Sequence, residues 1–187
     1  MRVLVEAWTS CKGGVDARRI SAAERGLKYL MGCARSVKGH YEWRDSNRNK
    51  SIGAWWCKGA PGISLAFLKA YEIFESPVYL KVAEKALAFH PRYLFHKNFS
   101  QCHGLSGLGE IYLEAFRVTK DIEWWERAGW IGSFLVSNRK QTATGEVYWL
   151  VDQAEFPTAD FMLGNSGVIY FLSRLCSAKV SGFPFLS

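Results

Sequence analysis

Three side chains able to bind a soft divalent metal stand in two short stretches. These are Ala54-Trp55-Trp56-Cys57-Lys58-Gly59-Ala60-Pro61-Gly62 and Gln101-Cys102-His103-Gly104-Leu105-Ser106-Gly107. In each, a cysteine precedes a Gly-x-x-Gly turn by two residues, and each turn opens an apolar run. Cys57 and Cys102 lie 45 residues apart (102 − 57), as do Gly59 and Gly104 (104 − 59). Two thiolates and one imidazole match the softness of zinc and supply three of its four ligand positions, leaving one open for an exchangeable group. Their charge of −2 balances Zn²⁺ yet leaves it acidic enough to take an incoming thiol and lower its pKa. Cys102 and His103 are adjacent, so they reach one ion only from a turn, where glycines allow a tight path. The competing reading makes the cysteines small residues buried at helix starts and His103 a polar helix-terminal group.

What must position these residues is an internal repeat. The same offset carries Gly62 to Gly107, Leu68 to Leu113, Ala70 to Ala115, Tyr71 to Phe116, Tyr79 to Trp124 and Ala83 to Ala128, the signature of a repeat architecture. Apolar helices are expected from Gly62 to about Phe74, from Gly107 to about Val118 and from Val168 to about Cys176. Each should be buried, being apolar on most sides. Amphipathic helices opened by Ser76-Pro77 and Asp121 should run to about Phe89 and Ser137, with Lys81, Glu84, Lys85, Glu123, Glu126 and Arg127 turned outward. Gly164-Asn165-Ser166-Gly167 opens a third unit, delayed by an insertion that is largely Gln141 to Pro157. Met162 and Leu163 stand there at the equivalents of the cysteine and its neighbour, so this unit offers no ligand. Ahead of the repeats, Ser21 and Glu24 read as a capping box for a helix to about Arg35, with Ala22, Leu27, Leu30, Met31 and Ala34 on one face. Gly39 to Trp43 and Gly145 to Trp149 are strand-like snippets. Inner helices ringed by outer ones define an all-α fold, a partial α/α toroid of about three inner/outer pairs in a single domain over 1–187. Residues 1–20 are a poorly defined lead-in in which Cys11-Lys12-Gly13 mimics the motif by coincidence.

The chain of 187 residues is long enough for one real core. Hydrophobic residues at 49% and charged ones at 22% are ordinary for a globular domain. The net charge of +7 is scattered, and its densest stretch, Arg44 to Lys50, reads as a solvated loop. No recognition motif accompanies it, so nucleic acid is not an expected partner. Charges interrupt every apolar run, which excludes a membrane span. With no signal peptide after Met1, the expected compartment is the cytoplasm, where cysteines, five in this chain, stay reduced and are ligands more often than bridges.

Trp56-Cys57-Lys58-Gly59, Cys102-His103-Gly104 and Phe161-Met162-Leu163-Gly164-Asn165-Ser166-Gly167 resemble, in order and spacing, the motifs of the lanthionine synthetase C-like family. The resemblance implies a toroid of roughly seven inner and seven outer helices, of which this chain holds the C-terminal part. It implies zinc held by Cys57, Cys102 and His103, which would act catalytically through the metal. The implied reaction is Michael addition of a peptide cysteine to dehydroalanine or dehydrobutyrine, closing a thioether ring. The implied partner is a dehydrated precursor peptide, with the missing N-terminal half, a second copy or other biosynthetic enzymes completing the ring.

Two departures accompany the resemblance. The family's acid/base histidine and its aspartate partner belong to the half that is absent, and His40, His90 and His96 read as exposed loop histidines rather than substitutes. Lys58, expected to face solvent, stands where the family often has tyrosine or histidine. Other readings are a relative that binds or conjugates glutathione, and a non-catalytic helical scaffold with a structural zinc. A stand-alone cyclase and the end of a bifunctional synthetase are equally compatible with the sequence.

Overall fold

The computed structural model describes residues 17–44, 53–152 and 154–177. The expectations for Cys11-Lys12-Gly13 and for the loop after Arg44 fall outside them. Two compact units divide the chain, residues 1–34 and residues 35–187. In the first, helix α1 (Ala17–Cys33) has Leu27 as its buried residue. It begins four residues before Ser21, which is therefore inside the helix and caps nothing. The capping-box reading fails because Ala17 to Ile20 already continue the helix ahead of it.

The second unit opens with an antiparallel hairpin, β1 (Arg35–Val37) and β2 (His40–Glu42), in register Val37 to His40. Its turn, Lys38-Gly39, takes positive φ at both residues (45° and 90°), the conformation that suits the right-handed twist of paired strands. Helix α2 (Ala60–Phe74) carries Pro61 in its first turn, where the missing N–H costs nothing. Helix α3 (Pro77–Leu87) follows, then α4 (Leu105–Thr119) and α5 (Ile122–Ser137). A second hairpin, β3 (Lys140–Gln141) and β4 (Val147–Tyr148), precedes α6 (Asn165–Leu175).

The repeat is visible in how the helices end as well as how they begin. Glu75 and Lys120, 45 residues apart (120 − 75), both cap their helices in the left-handed conformation, with φ of 53° and 61°. Their amides donate to Tyr71 and Phe116, the equivalent carbonyls of the last turn. Arg117 sits one repeat after Glu72 and reaches back to it with two hydrogen bonds of 2.6 and 2.8 Å, joining α2 to α4.

Helices α2 and α4 pack side by side, α4 also packs on α6, and α3 and α5 pair with α2 and α4 respectively. This is the inner–outer alternation of a partial α/α toroid, with two complete pairs and a third inner helix among the described residues. Helix α4 is the core of the arc: every residue from Leu105 to Ala115 is buried. Helix α6 is not buried all round; Val168 and Phe171 are enclosed while Ile169 is half exposed. Between α4 and α6 the guanidinium of Arg174 bonds to the carboxylates of Glu110 and Glu114, all three nearly inaccessible. No helix among the described residues is long and apolar enough to cross a membrane.

Candidate metal centre

The two motif loops meet because the repeat stacks its turns in register. The amide of Cys57 donates to the carbonyl of Cys102 at 3.1 Å, and the amide of Cys102 donates to Met162 at 2.9 Å. Equivalent residues of three successive units thus form a ladder along one rim of the arc. The cysteine sulfurs and an imidazole nitrogen of His103 fall within 4.8 Å of one another. A tetrahedral zinc with bonds of about 2.0–2.3 Å spaces its donors by roughly 3.3–3.8 Å, so small side-chain rotations would close the set on one ion. Cys57 is exposed, and Cys102 and His103 are half-buried, which leaves the cluster open to an incoming group. That exposure argues against the reading of the cysteines as buried packing residues.

Each loop is shaped by its glycines. Gly59 has φ 141°, and a side chain there would overlap the Gly53 carbonyl opposite, against which Ala54 and Gly59 form an isolated bridge. Gly104 has extended backbone, yet a Cβ on it would run into Ser100 and Asn98. The turns deliver both cysteines just ahead of helix N-termini, α2 beginning at Ala60 and α4 at Leu105. Without a cation, burial together with the hydrogen bond and charge of Cys57 pushes the Cys102 thiol up to about 11. A divalent ion at the site would reverse that penalty by taking both sulfurs as thiolates.

His103 is held at both ends. Its amide donates to Ser100 Oγ at 3.3 Å, and Nε2 lies 3.0 Å from Asp152 Oδ1. Asp152 belongs to the insertion before the third unit and was not anticipated; only the insertion itself signalled that something was added near the motif. Lys58 is exposed, as expected.

The other histidines differ from expectation. His90 is buried, not exposed: Nε2 donates to the carbonyl of Ala54 at 2.5 Å and its ring packs against Trp55. Burial lowers its pKa. The loop after α3 folds back over Trp55, which the dipeptide His90-Pro91 alone does not reveal. His96 is half-buried, packs against Trp55 with ring centroids 4.5 Å apart and the rings tilted by 50°, and accepts the Asn98 amide at Nδ1. His40 is half-buried on β2, 3.0 Å from Glu42 and edge-on to Phe89.

A family model described as lanthionine synthetase C-like protein matches residues 15–187. Among solved structures, nisin cyclase aligns at 25% sequence identity with a TM-score of 0.47. That match covers 75% of this chain but only 29% of the nisin cyclase chain, so the chain spans less than a third of that protein.

Proposed function

The chain belongs to the lanthionine synthetase C-like family, and from that premise we propose that Cys57, Cys102 and His103 form a zinc centre serving thioether-ring closure in a dehydrated peptide. The observation that carries the reading is the convergence of two sulfurs and one imidazole nitrogen within 4.8 Å at an accessible rim. When bound, zinc supplies Lewis acidity that lowers the pKa of a thiol at its open position.

The chain's own contribution is to hold and orient. The Cys57–Cys102 backbone bond holds the two motif loops side by side, and the glycine turns allow the tight path that brings them there. The reaction forms a bond from the substrate cysteine sulfur to Cβ of dehydroalanine or dehydrobutyrine. The C=C electrons move to Cα, the thiol loses its proton, and Cα gains one, so the addition is balanced. His40, His90 and His96 are each engaged elsewhere, with Glu42, the Ala54 carbonyl and the Asn98 amide. The family resemblance places the acid/base histidine and its aspartate partner in the N-terminal half, so the proton for Cα is assigned to that complementing half.

Zinc stoichiometry, measured on the purified chain beside a Cys57→Ala/Cys102→Ala variant under native mass conditions, tests the centre. One zinc per chain, lost in the variant, is expected; a zinc-free parent overturns the reading. Ring closure of a dehydrated peptide, assayed with the complementing half present, then separates a cyclase from a zinc-bearing scaffold.

A further inference from the structure

Asp152 lies outside every motif, yet the fold carries it to the motif histidine. Its Oδ1 stands 3.0 Å from His103 Nε2 and also accepts a hydrogen bond of 2.9 Å from Asn98 Nδ2. Asn98 is itself fixed, its side-chain oxygen accepting the Ser100 amide and its carbonyl accepting the Leu105 amide at the start of α4. The segment bearing Asp152 is anchored as well. Val151 is fully buried, and the nearly buried Trp149 donates its indole N–H to the Leu135 carbonyl at 2.8 Å. The Asn165 side chain bonds both the amide and the carbonyl of Trp149. Asp152 takes a left-handed backbone, φ 53°, which aspartate adopts more readily than most non-glycine residues.

A carboxylate only accepts hydrogen bonds, so the imidazole nitrogen facing it carries the proton, and the other nitrogen keeps the lone pair. Resting on the zinc reading above, we infer that Asp152 is a positioning residue of the metal centre: it holds His103 through Nε2–H and so presents Nδ1 to the ion beside Cys57 and Cys102. A carboxylate behind a ligating histidine fixes the ring's tautomer and orientation and makes it a better donor. An exposed ion pair without that role contributes little to stability. The two roles therefore separate: removing the carboxylate weakens metal binding and leaves the metal-free fold unmoved.

The test is zinc affinity of the chain, by competition with a chromophoric chelator, for wild type, Asp152→Gly and Asp152→Asn. Glycine accepts φ 53° without strain and deletes the carboxylate; asparagine also tolerates it and keeps an uncharged acceptor. Affinity is expected to fall by about ten- to a hundredfold in Asp152→Gly and by less in Asp152→Asn, with the metal-free thermal midpoint unchanged. Imidazole ¹⁵N shifts of the zinc-loaded wild type should show Nδ1 bound and Nε2 protonated. Zinc on Nε2, undiminished affinity in Asp152→Gly, or a metal-free midpoint that falls with the affinity would each overturn the role of Asp152 while leaving the zinc centre standing. A wild type that takes up no zinc overturns the centre itself, and the role of Asp152 with it.

Discussion

The carbonyl oxygen of Gln101 occupies the space that a Cβ on Gly107 would need. Trp56 stands in the same relation to Gly62, and Phe161 to Gly167, so the second glycine of each Gly-x-x-Gly is where the incoming loop crosses its own helix. A methyl group there collides with backbone, which cannot rotate away. Gly107→Ala is expected to destabilise by roughly 3 kcal/mol or more and to part Cys102 from Cys57. Gly129→Ala, on α5 with nothing near its Cβ position, should instead stabilise by about 0.5–1 kcal/mol through helix propensity. Chemical denaturation of the two variants checks both signs.

Glu110 should make the fold less stable toward neutral pH. Burial pushes its carboxyl up to about 7, against the opposing pull of Arg174. Glu110 and Glu114 share that one guanidinium. Below the ordinary carboxyl range both folded and unfolded states are protonated and the stability is fully present. As pH rises, the unfolded chain ionises first, and stability is lost up to the folded value, by roughly 3 kcal/mol. Glu110→Gln removes the loss, so its stability relative to wild type should be greater at pH 7 than at pH 5, read from unfolding curves at both.

His90 should act with the opposite sign. Burial lowers its pKa, so folded and unfolded states are both neutral above 6.5, and stability is lost as pH falls below that value. His90→Gln keeps a donor for the Ala54 carbonyl but cannot titrate. Its unfolding midpoint should change less between pH 7.5 and pH 5 than that of wild type, and a steeper acid loss in the variant would refute the assignment.

Asn165 ties the insertion to the start of α6 through hydrogen bonds to Trp149 and to the Thr158 carbonyl. Asn165→Ala leaves those backbone groups without their partner, at a cost of about 1–3 kcal/mol. Limited proteolysis should cut faster between Gln141 and Pro157 in the variant; an unchanged cleavage rate would show that Trp149 burial alone holds the segment.

The repeat and its motifs were legible because each residue type there answers a local demand. Glycines mark the crossings, Pro61 and Pro77 mark helix starts, and apolar runs mark the inner helices. The meeting of Cys57 and Cys102 was legible because the 45-residue offset places them at one height. Long-range polar pairings were not. Asp152 meets His103 across an insertion that breaks the period. Arg174 meets Glu114 one 60-residue unit back (174 − 114), but the pair sets unlike residues at equivalent positions, so matching like with like along the repeat passes over it. Ser21 misled because a capping-box pattern inside a helix looks the same as one at its start. His90 misled because a histidine before proline resembles a loop residue until Trp55 is seen to cover it.

Forty-five residues separate Cys57 from Cys102 and 60 separate Cys102 from Met162, yet each step along the rim is one backbone hydrogen bond. Extra chain has been absorbed as the β3–β4 hairpin and its return, with no change in the spacing of the ladder. Distance along the polymer and address on the rim are thus independent variables. The connection between one unit and the next can therefore differ in length while Cys57, Cys102 and Met162 keep their places in the ladder.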